Sequence, residues 1–350
     1  MKRRFSTLAI ATILGLSAGF ANADPVKVKD ILDREVTVDL PAKRVVLGFY
    51  YQDYMAVGGD KALDNVVGFS KKVWSSWAPA SWELFSKAVP KLNQLDDVGE
   101  VEEGTFSVEK VLSLKPDLLV LADWQYEMLG SDLDAINEAG IPIVVLDYNA
   151  QTLDKHIKST EIIGQLTGQK DRAAKMAKEY KDIVEHIQTT VKNAKLAKQP
   201  KVYVEFGRGG PAEQGMTFFS SMWGSMISLV GAENVAPAEI GKWGTLAAEK
   251  VLAAKPDAII ITGRETELKK NQDGMVMGFG IEKAERRLNA FKHRAGWAEL
   301  PAVKNNRVYA AYHANSRTLS DSASVQFVAK AAYPDLFKDL DPQQTYLNFY

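Results

Sequence analysis

The sequence predicts an α/β protein made of two similar lobes, each a parallel sheet with flanking helices, joined by one long α-helix. Strand and helix patterns alternate along the chain, a helix–turn–strand block occurs twice, and an uninterrupted amphipathic stretch separates the two copies. Strands that alternate with helices are typical of parallel sheets covered on both faces. A length of 350 residues is enough for about two such domains.

Residues 1–23 have the pattern of a cleaved signal peptide. Three basic residues at positions 2–4 precede an apolar run over 8–20, and Ala21-Asn22-Ala23 matches a small-x-small cleavage site. We expect the mature chain to begin at Asp24; an uncleaved membrane anchor is the alternative. The chain has no cysteine, so we expect a soluble periplasmic protein that is not a lipoprotein, without disulfides or thiolate metal sites.

Composition and net charge are those of an ordinary globular protein. The chain is 46% hydrophobic and 25% charged, which is ordinary for a globular protein. Its formal net charge of −1 gives no reason to expect nucleic-acid binding.

The N-terminal lobe is expected to span 24–168 and the C-terminal lobe 199–350. Residues 24–42 alternate in polarity and then meet Pro41, which indicates a small edge element. Short apolar runs bounded by turn residues predict strands at 44–49, 65–69, 117–123, 141–148, 201–206, 258–262 and 307–313. Helical patterns fill the intervals, including 107–114, 128–139 and a final helix over 322–332.

The linking helix is expected within 169–198. Gly168 and Pro200 bracket a stretch with no internal glycine or proline, and such residues are typical helix boundaries. Apolar residues recur at steps of three and four, at Ala173, Met176, Ala177, Tyr180, Ile183, Val184, Ile187, Val191 and Ala194. The stripe is too short for a coiled coil, so we interpret it as a stiff connection between lobes. A long surface helix of one domain is the alternative.

The two lobes share a sequence block. Residues 105–124 and 245–264 align without gaps at an offset of 140, and eight of the twenty positions are identical. Each copy reads as a helix, a Lys-Pro-Asp turn and a buried strand. Proline ends the helix because it lacks an N–H and restricts the residue before it.

Candidate ligand-binding residues are expected around a cleft between the lobes. Ligands of open parallel sheets sit outside the carboxyl ends of the strands, and clefts between domains are favoured ligand sites. The candidates are arginines and aromatic residues at strand ends and in nearby segments, namely Tyr50, Tyr51, Trp74, Trp77, Trp124, Arg208, Trp223, Trp243, Arg264 and Tyr312. Arginine would hold anionic oxygens, and the aromatic rings would cover a bulky or planar body.

Some of these residues have a plain structural explanation as well. Tyr312 and His313 could coordinate ferric iron, and a hydrogen-bonded pair at a sheet edge explains them equally well. Arg208 lies in a glycine-rich loop where an exposed arginine needs no function, and Trp243 could pack a helix end. The loop 271–280 reads as a lid or as a variable connection. We find no nucleophile elbow, phosphate-binding loop or His-Glu-x-x-His motif.

The chain resembles a known family of carriers. The residues that carry the resemblance are the signal peptide, Asp33-Arg34-Glu35-Val36-Thr37-Val38 with Pro41 and Arg44-Val45-Val46, the paired Lys-Pro-Asp blocks and the single linking helix. Together they are similar to the periplasmic substrate-binding proteins of the iron-siderophore and cobalamin ABC importers. The segment Ala329–Pro342 resembles a branch of that class whose ligands include haem-like, chelated-metal and oxyanion compounds.

The resemblance implies a monomeric, non-enzymatic carrier with no intrinsic cofactor. Its ligand would be an iron(III) chelate of the siderophore type, and its partners an ABC permease dimer and the ATPase. One acidic residue on each lobe docks on the permease in this class, and the matching residues are Glu109 and Glu249. Asp123-Trp124 stands where catecholate-binding members often carry arginine, so haem, a corrinoid or a molybdate-like oxyanion remain alternative ligands. A two-lobed metal chelatase or lyase is the alternative from another class.

Overall fold

We analysed a computed structural model of the chain, which describes residues 25–150, 152–264 and 281–349. The predicted signal peptide, residues 1–23, and the predicted loop 271–280 lie outside these residues. Within the described residues, no helix combines the length and the apolar character needed to cross a bilayer.

The N-terminal lobe begins with a two-stranded antiparallel hairpin and continues as an α/β unit. Its strands are β1 (Val26–Lys29), β2 (Glu35–Val38), β3 (Val45–Leu47), β4 (Val66–Phe69), β5 (Asp96–Asp97), β6 (Leu118–Ala122) and β7 (Ile143–Leu146). Its helices are α1 (Tyr51–Gly58), α2 (Lys71–Trp77), α3 (Pro79–Ala88), α4 (Lys91–Gln94), α5 (Val108–Ser113), α6 (Asp123–Leu129), α7 (Asp134–Glu138) and α8 (Leu153–Thr167). The linking helix α9 follows at Lys170–Ala194.

The C-terminal lobe repeats the plan with an added antiparallel edge. Its strands are β8 (Lys201–Phe206), β9 (Met216–Phe218), β10 (Glu233–Asn234), β11 (Trp243–Thr245), β12 (Ala258–Gly263) and β13 (Val308–Tyr312). Its helices are α10 (Met222–Leu229), α11 (Ala248–Ala254), α12 (Ile281–Lys292), α13 (Pro301–Lys304), α14 (Ser322–Ala332) and α15 (Pro342–Phe349).

Sheet topology confirms the predicted fold class. The N-terminal sheet has the order β5-β4-β3-β6-β7 and all its pairs are parallel. The C-terminal sheet has the order β11-β9-β8-β12-β13, with β10 also paired to β8. Its β8, β10, β12 and β13 pairings are parallel, whereas β9 and β11 form an antiparallel edge that the sequence analysis did not anticipate.

The repeated Lys-Pro-Asp block has the same structure in both lobes. Lys115 and Lys255 both adopt a left-handed backbone conformation, with φ of 46° and 52°, which ends the helix before the proline. The aspartate then anchors the neighbouring strand. Asp117 accepts a hydrogen bond from the Arg44 amide, and Asp257 accepts one from the Lys201 amide, each at 2.8 Å. These bonds satisfy backbone donors at the start of a central strand, so the block sets the register of each sheet.

Helix α9 contributes to the cores of both lobes. Near its start, Ala173 is buried in the N-terminal core, whereas Tyr180, Val184 and Ile187 are buried in the C-terminal core. Its 25 residues extend about 37 Å at 1.5 Å per residue. The helix is therefore anchored by apolar packing at both ends, as expected for a stiff connection.

Candidate functional site

A small cavity lies between the lobes and is lined by both of them. We call it the interlobe cavity; its volume is about 70 Å³. The N-terminal lobe contributes Glu102, Trp124, Met128 and Asn149, and the C-terminal lobe contributes Phe206, Met216, Phe218, Met222, Trp243, Arg264, His313 and Arg317. Aromatic and thioether groups thus surround a few polar groups, which is the usual composition of a small-molecule site.

Arg264 lies against aromatic rings from both lobes. It follows β12, is 8% exposed, and its Cζ lies 4.3 Å from the ring centroid of Trp77 and 5.2 Å from that of Phe206. The indole of Trp77 is itself held by a 2.9 Å hydrogen bond from its Nε1 to Glu103. A guanidinium stacked on a ring keeps its N–H edge available for oxygen acceptors.

Arg317 is a second buried arginine of the cavity, and the sequence analysis missed it. Its Cζ lies 4.7 Å from the ring centroid of Phe49 and 5.4 Å from that of Trp77. Burial lowers the pKa of its guanidinium from the usual value, although arginine remains charged at neutral pH. Arg317 lies only five residues after the end of β13, so a search that continued five residues past each strand end would have found it.

Two buried donors of the cavity residues are unsatisfied. The indole Nε1 of Trp124 and the Nε of Arg317 have no hydrogen-bond partner among the described residues. Trp124 is 5% exposed and lies at the start of α6. A buried donor without an acceptor costs about 1–3 kcal/mol, and such groups often mark places where a ligand or water binds.

His313 adds a neutral imidazole to the cavity wall. Its ring stacks on Phe206 at 4.1 Å, and its Nδ1 lies 3.1 Å from the Thr262 hydroxyl. Burial lowers the pKa of His313 well below its usual value, and the charges of Arg264 and Arg317 lower it further. The imidazole is therefore uncharged at neutral pH and leaves the two arginines as the positive charges of the cavity wall.

Direct contacts between the lobes surround the cavity. Lys242 of the C-terminal lobe pairs with Glu127 of α6. The Met222 amide donates a 2.6 Å hydrogen bond to the Asn149 carbonyl. Trp243 lies beside this rim and is 41% exposed. These contacts hold the lobes close together, which explains the small volume of the cavity.

Four predicted residues of the N-terminal lobe lie outside the cavity lining, namely Tyr50, Tyr51, Trp74 and Trp77. All four are buried in the hydrophobic core: Tyr50 and Tyr51 lie where β3 leads into α1, and Trp74 and Trp77 lie on α2. The Tyr50 hydroxyl donates to the Asn149 side chain at 3.1 Å, so Tyr50 supports a cavity residue. Trp74 packs on Phe49, behind the surface that contacts the arginines.

Three predicted residues of the C-terminal lobe also lie elsewhere. Arg208 is exposed on its loop and does not line the cavity. Trp223 and Tyr312 line a separate depression against α14 and α15, whereas His313 lines the interlobe cavity. Tyr312 and His313 thus lie at different depressions, and no group of three or more His, Cys, Asp or Glu side chains that could hold a metal occurs among the described residues.

The two acidic candidates for permease docking have equivalent positions. Glu109 and Glu249 are both exposed in the first turn of a helix, α5 in one lobe and α11 in the other. The helix macrodipole favours a carboxylate there, so their placement suits a structural role as well as a docking role.

Two α/β lobes that are joined by one long helix and enclose a cavity between them have the architecture of a ligand-binding protein. A family model described as "Periplasmic binding protein" matches residues 52–313. The chain belongs to this family, whose members are the substrate-binding proteins of ABC transporters. A small-molecule ligand and a permease with its ATPase are accordingly its partners.

Several relatives are similar over most of their length. A TroA-like periplasmic binding protein FepB from Veillonella parvula has a TM-score of 0.83 and 32% identity, covering 93% of this chain and 95% of that one. The uncharacterized ABC transporter substrate-binding lipoprotein YvrC of Bacillus subtilis is 25% identical, covering 90% and 88%. The molybdate-binding protein MolA of Haemophilus influenzae, bound to molybdate, shares the fold with a TM-score of 0.67 at 18% identity, covering 93% and 96%.

Proposed function

We propose that this protein captures an anionic, metal-containing ligand in the interlobe cavity, in the first place a ferric chelate of the siderophore type, and delivers it to an ABC importer without chemical change. The observation that carries the proposal is the placement of Arg264 and Arg317. Two buried guanidinium groups line one cavity and lie against aromatic rings there. An anionic ligand would complement these two positive charges.

The aromatic wall supports a chelate. Phe49 and Trp77 of the N-terminal lobe contact the two arginines, and Trp124 and Trp243 add further aromatic surface to the cavity. Ferric chelates present anionic oxygens around the metal and an organic body outside it. The arginines suit the oxygens and the rings suit the body.

A molybdate-like oxyanion is the second candidate, and the cavity volume favours it. About 70 Å³ accommodates a small anion, whereas sites for larger organic ligands usually measure about 300–1,000 Å³. Haem and corrinoid ligands, like a ferric chelate, require the lobes to separate. The MolA relative is described as bound to molybdate, which supports including oxyanions in any search.

Tryptophan fluorescence tests the proposal, because Trp124 and Trp243 line the cavity. The purified protein is titrated with a ferric hydroxamate, a ferric catecholate, haem, cobalamin and molybdate. We expect quenching by an anionic ferric chelate, and an affinity at least about tenfold weaker in Arg264→Ala and in Arg317→Ala, since each lost charge-assisted bond is worth roughly 1.5–3 kcal/mol.

Arg208→Ala is the matched control, because it removes an exposed arginine of the same lobe that does not line the cavity. Its affinity should equal that of the wild type. If no anionic compound binds, or if Arg264→Ala binds as tightly as Arg208→Ala, the proposed site is wrong. Quenching by molybdate alone selects the second candidate.

We also propose that the mature protein is a soluble periplasmic monomer that begins at Asp24. A named relative is a lipoprotein, but a lipid anchor of that kind requires cysteine and this sequence has none. Mass spectrometry of the exported protein should give the mass of residues 24–350 without lipid. A heavier, lipid-bearing mass would contradict this.

A further inference from the structure

One loop connects the interlobe cavity to a second contact between the lobes. Residues 316–321 follow β13, and Arg317 in this loop lines the cavity. Two residues later, Leu319 is buried in the hydrophobic core of the N-terminal lobe rather than in that of its own lobe. The placement of Arg317 therefore depends on how firmly Leu319 docks in the opposite lobe.

The docking contact is a buried carboxyl group. The Leu319 amide donates a 2.5 Å hydrogen bond to Oδ1 of Asp53, which is 3% exposed in α1. The Thr318 hydroxyl also hydrogen-bonds to Asp53. This is a bond between positions 266 residues apart, so the two lobes must be correctly assembled for it to form.

A buried polar cluster surrounds this contact. His156 of α8 approaches Asp321 at 3.2 Å and stacks on Tyr180 of α9 with ring centroids 3.6 Å apart. The titratable and charged groups that face this contact from the packed elements are Tyr50, Tyr148, His156, Arg172, Tyr180, Arg317 and Asp321. Arg172 binds the Ala56 carbonyl on the outside of α1, and no lysine or arginine of the described residues forms an ion pair with Asp53.

Burial raises the pKa of Asp53 to about 7, against the lowering effect of its bonds from Leu319 and Thr318. The docked carboxyl group therefore holds a proton more tightly than a hydrated one does. As the pH rises from the ordinary carboxyl pKa through about 7, docking requires a negative charge to be buried beside Asp321, and the docked state becomes less favourable; above this range the effect levels off.

We propose that Asp53 is a positioning residue for Arg317: protonated Asp53 docks the Leu319 loop in the N-terminal lobe and so fixes Arg317 in the interlobe cavity, and ionisation of Asp53 loosens the loop. Only the role of Arg317 in ligand capture rests on the proposed function. The loop docking itself is a property of the ligand-free protein.

Hydrogen exchange of the Leu319 amide tests the proposal without any ligand. Its protection, corrected for intrinsic exchange, is measured between pH 5.5 and 8.5 and divided by that of Ile261, an amide in the buried strand β12. We expect the ratio to fall at least about threefold, and about thirtyfold at most if the undocked carboxyl has its ordinary pKa.

Asp53→Asn keeps an oxygen acceptor for the Leu319 amide and cannot ionise, so its ratio should stay constant with pH. Asp60→Asn, which alters an exposed aspartate just after α1, should behave as the wild type. A constant ratio in the wild type, or an equal fall in Asp53→Asn, overturns the proposal. If Asp53→Asn does not fold, the wild-type and Asp60→Asn curves still decide the question.

Measuring ligand affinity at several pH values distinguishes this proposal from the proposed function. For a compound that quenches, for example a ferric hydroxamate, affinity should weaken from pH 5.5 to 8.5 in the wild type and less in Asp53→Asn. Failure of every compound to bind would refute the anion site and leave the exchange result intact. Binding with equal pH dependence in both proteins would refute the link from Asp53 to Arg317.

Discussion

Replacing Trp124 by phenylalanine should weaken ligand binding. The substitution keeps an aromatic ring in the cavity wall and removes the Nε1–H, a buried donor with no partner among the described residues. If that donor meets an anionic oxygen of the ligand, its loss removes roughly 1.5–3 kcal/mol. The dissociation constant should therefore rise about 10- to 150-fold.

Trp74→Phe is a close control for this experiment. The Trp74 Nε1 is also buried without a partner in the described structure, and Trp74 belongs to the same lobe, but it lies behind the wall and does not line the cavity. Both variants lose similar ring volume, so their thermal unfolding should change by similar amounts. Isothermal titration with a compound that quenches should show weaker binding only for Trp124→Phe. Equal affinities for the two variants would mean that the Trp124 indole nitrogen does not contact the ligand.

Three further predictions concern stability and transport. Arg294→Ala should lower the free energy of unfolding by about 3 kcal/mol, because it removes the hydrogen bonds of 2.7 and 2.8 Å that Arg294 donates to the fully buried Glu205. Urea denaturation measures this loss, and adding Glu205→Gln should recover part of it. Glu109→Ala combined with Glu249→Ala should abolish uptake by cells and leave ligand affinity unchanged; lost affinity would contradict a docking role. The pKa of His313 is lowered in the folded protein, so the unfolded state takes up the His313 proton first as the pH falls below 6.5, and this uptake destabilises the fold. His313→Asn should therefore remove about 2 kcal/mol of acid destabilisation between pH 7 and 5. Urea denaturation of the variant and the wild type at both pH values measures this difference.

Much of the fold could be predicted from local patterns. The strands of both parallel sheets carry continuous apolar runs, so β6, β8 and β12 were found within a residue of their observed ends. The linking helix was evident from the uninterrupted apolar stripe, whose last buried residue is Val191. The antiparallel strands β9 and β11 were missed because each has only three residues, too few to show an alternating pattern.

The candidate site was predicted less completely, for a physical reason. The rule that ligands bind at the carboxyl ends of parallel strands located Trp124, Arg264 and His313, which line the cavity. It does not give the direction of the side chain, so Tyr312, which lines a separate depression, was included with His313. Arg317 was missed because it lies five residues beyond the end of β13, and it reaches the cavity through the tertiary docking of Leu319.

Ligand size determines which contacts between the lobes can persist in the bound state. A small oxyanion fits the present cavity, so the pair Lys242–Glu127 and the bond from Met222 to Asn149 can both remain. A ferric chelate is much larger than about 70 Å³ and must separate these rim contacts. The Leu319 contact, by contrast, is part of a hydrophobic core and costs more to break than a surface ion pair. Opening should therefore occur at the rim, with the lobes turning about the Leu319 contact and α9, so that Arg317 stays in place while Trp243 and Lys242 move away from α6.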